Sequence, residues 1–394
     1  MTVAYYTHTA FFEVALSLVR ELAREVQVHL ILEMAPTSWQ TAGFDIAARD
    51  VPPGIVPADP ILRDHFPAAV RQHWQAAASF HLANYRQRRS VHPQSWRSAR
   101  DVVGFARKTL GADLLHVEDV DPSPRLALAM ATPVPMPLVL TVHDPIPHSG
   151  EGDWRKSLAR RLAYRRANHF VLHSRTLADE FRARYSVARD SLSVVPLAPL
   201  TIFRAWGTPS AAPGGPTVLF FGRLSPYKGV DVLYEAAPIV AEAVPDVRFV
   251  IAGRPIPGYE PPAPPRLPAP ANIVEIRRHV PNAELVDLFQ QASVVACPYR
   301  DATQSGVALT AQGLGRAVVA TCTGGIPEYV TDGETGLLCE PGDAAGLASA
   351  LIRLLTDDAL RDRLMANILS GRGLPDWRGS AEQLAELYGT IARR

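Results

Sequence analysis

Lysine is nearly missing from this chain. Of its 40 basic residues only Lys108, Lys156 and Lys228 are lysine. A lysine kept in a sequence that drifts toward arginine marks a place where a compact, flexible ammonium is wanted. Cysteine is scarce as well. Cys297, Cys322 and Cys339 are odd in number, lie in apolar stretches and have no metal-ligand spacing, which excludes a disulfide framework and a zinc ligand set. They read as reduced core residues of a cytoplasmic protein. No apolar run is long enough to span a bilayer. The start, Met1 to Tyr6, lacks the basic segment of a secretory signal, and the acidic Glu13 interrupts the apolar residues after it. No cluster of metal-binding side chains is apparent, so no metal is expected. A net charge of +1 gives no reason to expect a dedicated nucleic-acid binder. The first 200 residues carry +4 and the rest −3, a slight lean of the first half toward an anionic partner or a membrane surface.

What is present is a globular composition, 47% hydrophobic and 20% charged. A chain of 394 residues exceeds one ordinary core and suggests two domains. Short apolar runs alternate with helical periodicity throughout. In the first half, strands are expected at 3–6, 26–32, 114–117, 138–142, 170–172 and 193–196. Helices are expected at 11–24, 158–167 and 176–185. Residues 36–67 show little periodicity, and 70–110 read as largely helical. Residues 203–216 read as a linker. The alternation then restarts, with strands at 217–221, 247–252, 273–276, 293–297 and 317–320, and helices at 229–243, 282–291, 305–314 and 343–356. The proline-dense segment 255–270 reads as an exposed loop. Residues 358–392 read as helical. Such alternation implies two parallel, doubly wound α/β sheets, in residues 1–200 and 217–375, with 376–394 docking back on the first. If the carboxyl edges of the two sheets face each other, a cleft forms where two substrates can meet.

The richest stretch is Thr217-Val-Leu-Phe-Phe-Gly-Arg-Leu-Ser-Pro-Tyr-Lys-Gly-Val-Asp231. A β-rich run ends at Gly222, Arg223 and Lys228 come next, and Gly229 opens an amphipathic helix. Two cations beside a helix N-terminus suit a diphosphate. The alternative is a solvated loop. Three more clusters fall at strand ends. Gly253-Arg254 follows 249–252. Asp301, Thr303, Gln304, Ser305, Gly306 and Val307 form either an anion-binding turn or an ordinary helix cap, and both can hold at once. Gly324-Gly325 is either a close backbone approach to a ligand or a plain turn.

The ordered set FGRLSPYKGVDVL (221–233), FVIAGRP (249–255), VPNAELVDLFQQASVVACPY (280–299), TQSGVALTAQGLGRAVVAT (303–321) and GGIPEYVTDGETGLLCEPGD (324–343) resembles the donor-binding domain of a family 4 glycosyltransferase of GT-B architecture. The resemblance implies a metal-independent, retaining transfer of a hexose-type sugar from a UDP- or GDP-linked donor to an acceptor hydroxyl, with no cofactor. Arg223 and Lys228 then hold the diphosphate, and Ser305, Gly306 and Val307 fall where backbone N–H groups reach phosphate or sugar. The chain departs from the family at two glutamates, whose positions hold Ala302 and Thr310. Asp301 could stand in for the first, and Thr310 offers only a hydroxyl.

The first half resembles the family loosely. Thr141-Val-His-Asp144 ends an apolar strand, and His143 matches a family histidine near the reaction centre. The family's glycine-rich N-terminal loop is replaced by His8-Thr-Ala-Phe-Phe-Glu13. Phe11 and Phe12 either narrow the acceptor side or pack as core. His116, Glu118 and Asp119 follow a strand and are candidates for acceptor hydroxyls. The segment 154–166 is basic and amphipathic, with Trp154, Leu158 and Leu162 in one stripe. It reads as a charged outer helix or as a peripheral contact with an anionic inner-membrane face that presents a lipid-linked acceptor. Polysaccharide, glycolipid and natural-product glycoside synthesis are all compatible. The alternatives are a nucleotide-sugar epimerase on the same fold and a non-catalytic partner of a transferase.

Overall fold

Fourteen strands account for both sheets of the computed structural model, which describes residues 1–36, 44, 46–85, 87, 92–121, 123–133, 136–145, 154–207 and 215–393. The chain divides into two units. One comprises Met1–Pro145, the described part of Gly152–Leu197, and Trp377–Arg394; the other is built on Ala198–Asp376.

The first unit holds β1 (Thr2–His8), β2 (Gln27–Met34), β3 (Gly54–Pro57), β4 (Ser79–Asn84), β5 (Leu114–Glu118), β6 (Leu138–Thr141), β7 (His169–Leu172) and β8 (Leu192–Val194). Their spatial order is β3-β4-β2-β1-β5-β6-β7-β8. All neighbours are parallel except β3 and β4. The order reverses between β1 and β5, which makes the carboxyl ends of those two strands the ligand-binding switch point. The central strands β1, β2, β5, β6 and β7 are buried over nearly their whole length, as in a parallel sheet covered on both faces.

The second unit holds β9 (Thr217–Phe221), β10 (Arg248–Ala252), β11 (Asn272–Ile276), β12 (Val294–Cys297), β13 (Val318–Thr321) and β14 (Gly336–Cys339), in the order β11-β10-β9-β12-β13-β14. Every neighbouring pair is parallel. Here the switch point lies between β9 and β12. Helix Val230–Ala243 packs Val232, Leu233, Ala236 and Val240 onto the core, with Leu347, Leu351 and Leu354 of helix Ala344–Thr356 in the same cluster.

Four expectations need correction. The region 70–110 contains β4, whose Phe80 and Leu82 face the interior; it pairs with β2 on one side and β3 on the other. The expected linker is structured at its start. Thr201–Trp206 forms a 3₁₀ turn with Ile202 and Phe203 buried, and Arg204 Nε donates to the Gly313 carbonyl at 2.6 Å. Residues 208–214 lie outside the described residues. The region 358–392 is two helices, Asp358–Ser370 and Trp377–Ala392, separated where Gly371 adopts φ 73°. Of the cysteines only Cys297 is core; Cys322 sits in the turn after β13 and is exposed, and Cys339 is partly buried.

The first unit is also where acid acts. Burial holds His116 and His173 down to about 3, with the neighbouring His143 imidazole as the next cause in each case. Burial and then Arg20 hold His73 down to about 4. All three are neutral in the fold and charge readily once unfolded, near pH 6.5. Their stabilisation is therefore complete above about pH 6.5 and is lost as pH falls toward 4, each group adding up to about 1.4 kcal/mol per pH unit. The described residues of the second unit include a single histidine, His279. Hydrogen-exchange protection factors are expected to fall between pH 7 and pH 5 in the first unit well before the second. Equal loss in both would refute this origin.

Candidate functional site

In the second unit the site is built by three loops at the switch point. Gly222 follows β9 and turns at φ 117°. Gly253 follows β10 at φ 151°, and a Cβ there would lie 1.8 Å from the Gly222 carbonyl oxygen. The two loops are then pinned side by side, with Leu224 N–H donating to the Arg254 carbonyl and Ile256 N–H to the Leu224 carbonyl, both at 3.0 Å. Arg223 and Arg254 are exposed on this rim.

Lys228 is not a solvated cation. It is 9% exposed, and its Nζ lies 3.7 Å from the centroid of the Tyr299 ring and 5.2 Å from that of Tyr227. Such placement over aromatic faces is attractive. The loop after β12 enforces it. Arg300 N–H donates to the Tyr227 carbonyl at 2.8 Å, and a Cβ on Gly229 (φ 68°) would meet the Pro298 carbonyl at 1.9 Å.

The same loop leads into helix Gly306–Gly313. Ser305 Oγ caps it by accepting from Ala308 N–H at 3.1 Å, and donates to the Tyr299 hydroxyl at 3.0 Å. Ser305 N–H donates to the Tyr329 hydroxyl at 2.7 Å. Tyr299 thus ties the lysine to the helix N-terminus. Gly306 is exposed and a Cβ on it would project into open space, while a Cβ on Gly222 would come within 3.3 Å of Val307. The structure therefore brings Gly222, Lys228, Ser305, Gly306 and Val307 together, with unspent N–H groups of a helix start beside a cation.

Other expected residues stand differently. Thr310 Oγ1 donates to the Gly306 carbonyl at 2.7 Å, so its hydroxyl serves the helix. Ala302 and Thr303 are buried; Asp301 and Gln304 are partly exposed. Gly324 (φ 54°) presses on the Ala302 carbonyl, which a Cβ would meet at 1.6 Å, and Gly325 N–H donates to the Thr303 carbonyl. The paired glycines make a close approach to their own chain.

In the first unit, the ends of β1, β5 and β6 gather a second group. His8 accepts from Ala10 N–H through Nδ1, and burial and then Arg125 hold its pKa well below the usual histidine range. Phe11 stacks on His143, with centroids 3.5 Å apart and planes 13° from parallel. His143 is 5% exposed, and its Nε2 lies 3.7 Å from Glu118 Oε1, beyond hydrogen-bond length. Glu118 is fixed by the Tyr5 hydroxyl at 2.7 Å and by Thr7 Oγ1. Asp119 adopts φ 53° and accepts from Val120 N–H at 2.8 Å; burial raises its pKa against the pull of Arg160 and Arg125.

Of the two readings of Phe12 the structure takes core packing, and the acceptor-side expectation for His116 is corrected. Phe12 is core, 1% exposed among Phe44, Phe66 and Phe80. His116 is fully buried, with Nδ1 on the Tyr388 hydroxyl and Nε2 on Thr141 Oγ1 at 2.6 Å, so neither nitrogen is left for a ligand. Sequence reading missed Tyr299, Tyr329, Tyr388 and Arg125. Arg125 is 6% exposed and holds Asp121 at 3.0 Å and Ser123 Oγ at 3.1 Å, with Glu33 at 3.7 Å. Of these only Tyr299, one residue past a strand-ending Cys-Pro, carried a local signal.

Residues 13–198 match the family model Glycosyltransferase Family 4, and residues 215–357 match Glycosyl transferases group 1. A Corynebacterium urealyticum protein named D-inositol 3-phosphate glycosyltransferase is 34% identical over 267 residues, 61% of this chain and 62% of that one. A Mycobacterium leprae phosphatidyl-myo-inositol mannosyltransferase is 34% identical over 180 residues, covering 45% and 47%. The chain thus spans less than two thirds of the length of these curated relatives. The crystal structure of Anabaena HepE in complex with UDP-glucose aligns with a TM-score of 0.64 at 17% identity, over 99% of this chain and 100% of that one. At that identity the likeness shows the fold, which is GT-B with two parallel-sheet, Rossmann-like bodies. With both family models matched in order along it, the chain belongs to the family 4, group 1 glycosyltransferases.

Proposed function

We propose that the protein transfers a sugar from a nucleoside diphosphate sugar to an acceptor hydroxyl. The observation that carries this is the convergence of Lys228 and the open N-terminus of helix Gly306–Gly313 at the switch point of the second sheet. Breaking the glycosidic bond of such a donor builds charge on the β-phosphate, and preset cations and N–H groups stabilise it. In this reading Lys228 and the exposed Arg223 neutralise the departing diphosphate in the place a metal would take. Ser305 holds the helix start in register. The donor is UDP- or GDP-linked, the sugar a hexose, and transfer retains anomeric configuration. His143, stacked on Phe11 and facing Glu118, serves the acceptor side together with His8 and Asp119. The named glycolipid and inositol enzymes among the relatives favour an acceptor carrying a polyol or lipid-linked hydroxyl.

One observation favours a second reading, a non-catalytic partner of a transferase. Ala302 and Thr310 replace two family carboxylates, and the Thr310 hydroxyl is spent on its own helix. Incubation with labelled UDP- and GDP-sugars, with and without acceptors and in the presence of a chelator, separates the possibilities. Acceptor-dependent transfer that survives the chelator is expected, with Arg223→Ala weakening nucleotide binding about tenfold or more. Donor conversion without acceptor would indicate an epimerase. No nucleotide binding at all would sink the enzymatic reading.

A further inference from the structure

Among the described residues, six large hydrophobic side chains are exposed, and three of them lie on one helix: Trp154 at 71%, Leu158 at 49% and Leu162 at 36%. Helix Trp154–Tyr164 has two apolar sides. Ala159, Ala163 and Tyr164 enter the first unit's core, where Tyr164 meets Phe170 and Tyr185 edge-on and Phe181 at a tilt. Trp154, Leu158 and Leu162, spaced four apart, run along the outer side. Packing within the unit already satisfies the inner face, so the outer stripe has no role in this core.

The charged side chains on the helix itself are all of one sign. Arg155, Lys156, Arg161 and Arg165 are exposed, and no acidic residue occurs from 154 to 166. Arg155 lies over the Trp154 ring at 5.4 Å. A tryptophan and two leucines bordered by arginines match the chemistry of a bilayer interface. The rings and methyl groups enter the acyl boundary while the cations meet anionic headgroups. A soluble protein partner would need acidic groups around an apolar knob, and a second copy of this face would set cations against cations.

We propose that the outer face of helix Trp154–Tyr164 docks the protein onto an anionic lipid surface. The inner face of the same helix supports a functional purpose. Arg160, 8% exposed, interacts electrostatically with Asp119 and Asp144, which follow β5 and β6 beside His143. A surface bound to the outer face therefore lies about one helix diameter, ~10 Å, from the acceptor-side loops. The inference concerns the first unit alone and stands whether or not the donor reading holds.

Vesicle flotation tests it. The full chain is expected to float with phosphatidylcholine vesicles containing about 30% phosphatidylglycerol, to stay behind with phosphatidylcholine alone, and to be released as salt rises from ~0.1 to ~0.5 M. The combined variant Trp154→Ser, Leu158→Ser, Leu162→Ser is expected to lose about tenfold or more of the binding. Replacing Arg155, Lys156, Arg161 and Arg165 by glutamine should erase the preference for anionic vesicles. All substituted side chains are exposed, and circular dichroism verifies that each variant is folded. The idea fails if the parent protein ignores anionic vesicles, if the serine variant binds as well as the parent, or if sedimentation shows that the stripe mediates self-association instead.

Discussion

Replacing Lys228 by alanine is expected to lower kcat/KM for sugar transfer by about 10²–10³-fold, the usual loss on removing one preset donor to developing charge. The size of the effect follows from placement. An exposed lysine loses entropy when it grips a ligand, whereas Lys228 is already confined between Tyr227 and Tyr299. Lys228→Arg should not restore activity, because a broad planar guanidinium does not fit a position only 9% exposed. The rings make the test specific. Tyr299→Phe keeps the aromatic face and loses only the hydroxyl's bonds with Ser305 and Cys297, so most activity should remain. Tyr299→Leu removes the face and should weaken UDP or GDP binding about fivefold or more, with melting temperature as the control for packing. Calorimetric titration with the nucleotide provides a readout that needs no acceptor. Lys228→Ala within about threefold of the parent protein would overturn the assignment.

The largest effect on stability is expected at Gly253. Alanine there must tolerate φ 151° and a Cβ 1.8 Å from the Gly222 carbonyl oxygen, which sits in backbone and cannot swing away. A cost of about 3–5 kcal/mol is expected, at the upper end for a single substitution. That corresponds to a drop in melting temperature of roughly 10 °C for a unit of this size. Gly371→Ala is the control. It also has a positive φ, 73°, but no atom lies within 4 Å of the new methyl group, so only conformational strain of about 1 kcal/mol applies. Equal melting temperatures for the two variants would show that the contact between the strand-end loops is dispensable.

The second unit was the more legible of the two because its signals are local. In Thr217–Val230 the apolar run, the glycine, the cations and the helix onset succeed one another within fourteen residues, and β9 spans the residues expected. Elements without such punctuation were missed. β4 lies in Ser79-Phe-His-Leu-Ala-Asn84, whose alternation is short and flanked by alanines and arginines that favour helix. β14 is four residues beginning with glycine. Helix Pro124–Ala131 is apolar apart from Arg125 and buried on nearly all sides, so its sequence shows no polar face to mark a 3.6-residue period. The site was legible as residue types at strand ends and illegible as contacts. That Tyr299 would lie under Lys228 depends on how β9 and β12 pair, and that Thr310 would turn to its own helix depends on a local bond. His116 looked like a ligand contact because it ends a strand run. Its partner Tyr388 is 272 residues away, beyond any sequence pattern.

That distance bears on how the molecule is made. Helix Trp377–Ala392 belongs to the first unit, with Ser380 donating to the Pro196 carbonyl and Tyr388 fully buried against His116. A ribosome adding about 5–20 residues per second releases the whole of the second unit before that helix emerges. The half that is synthesised first is therefore finished last, and until then it carries an open seam where His116 waits for its phenol.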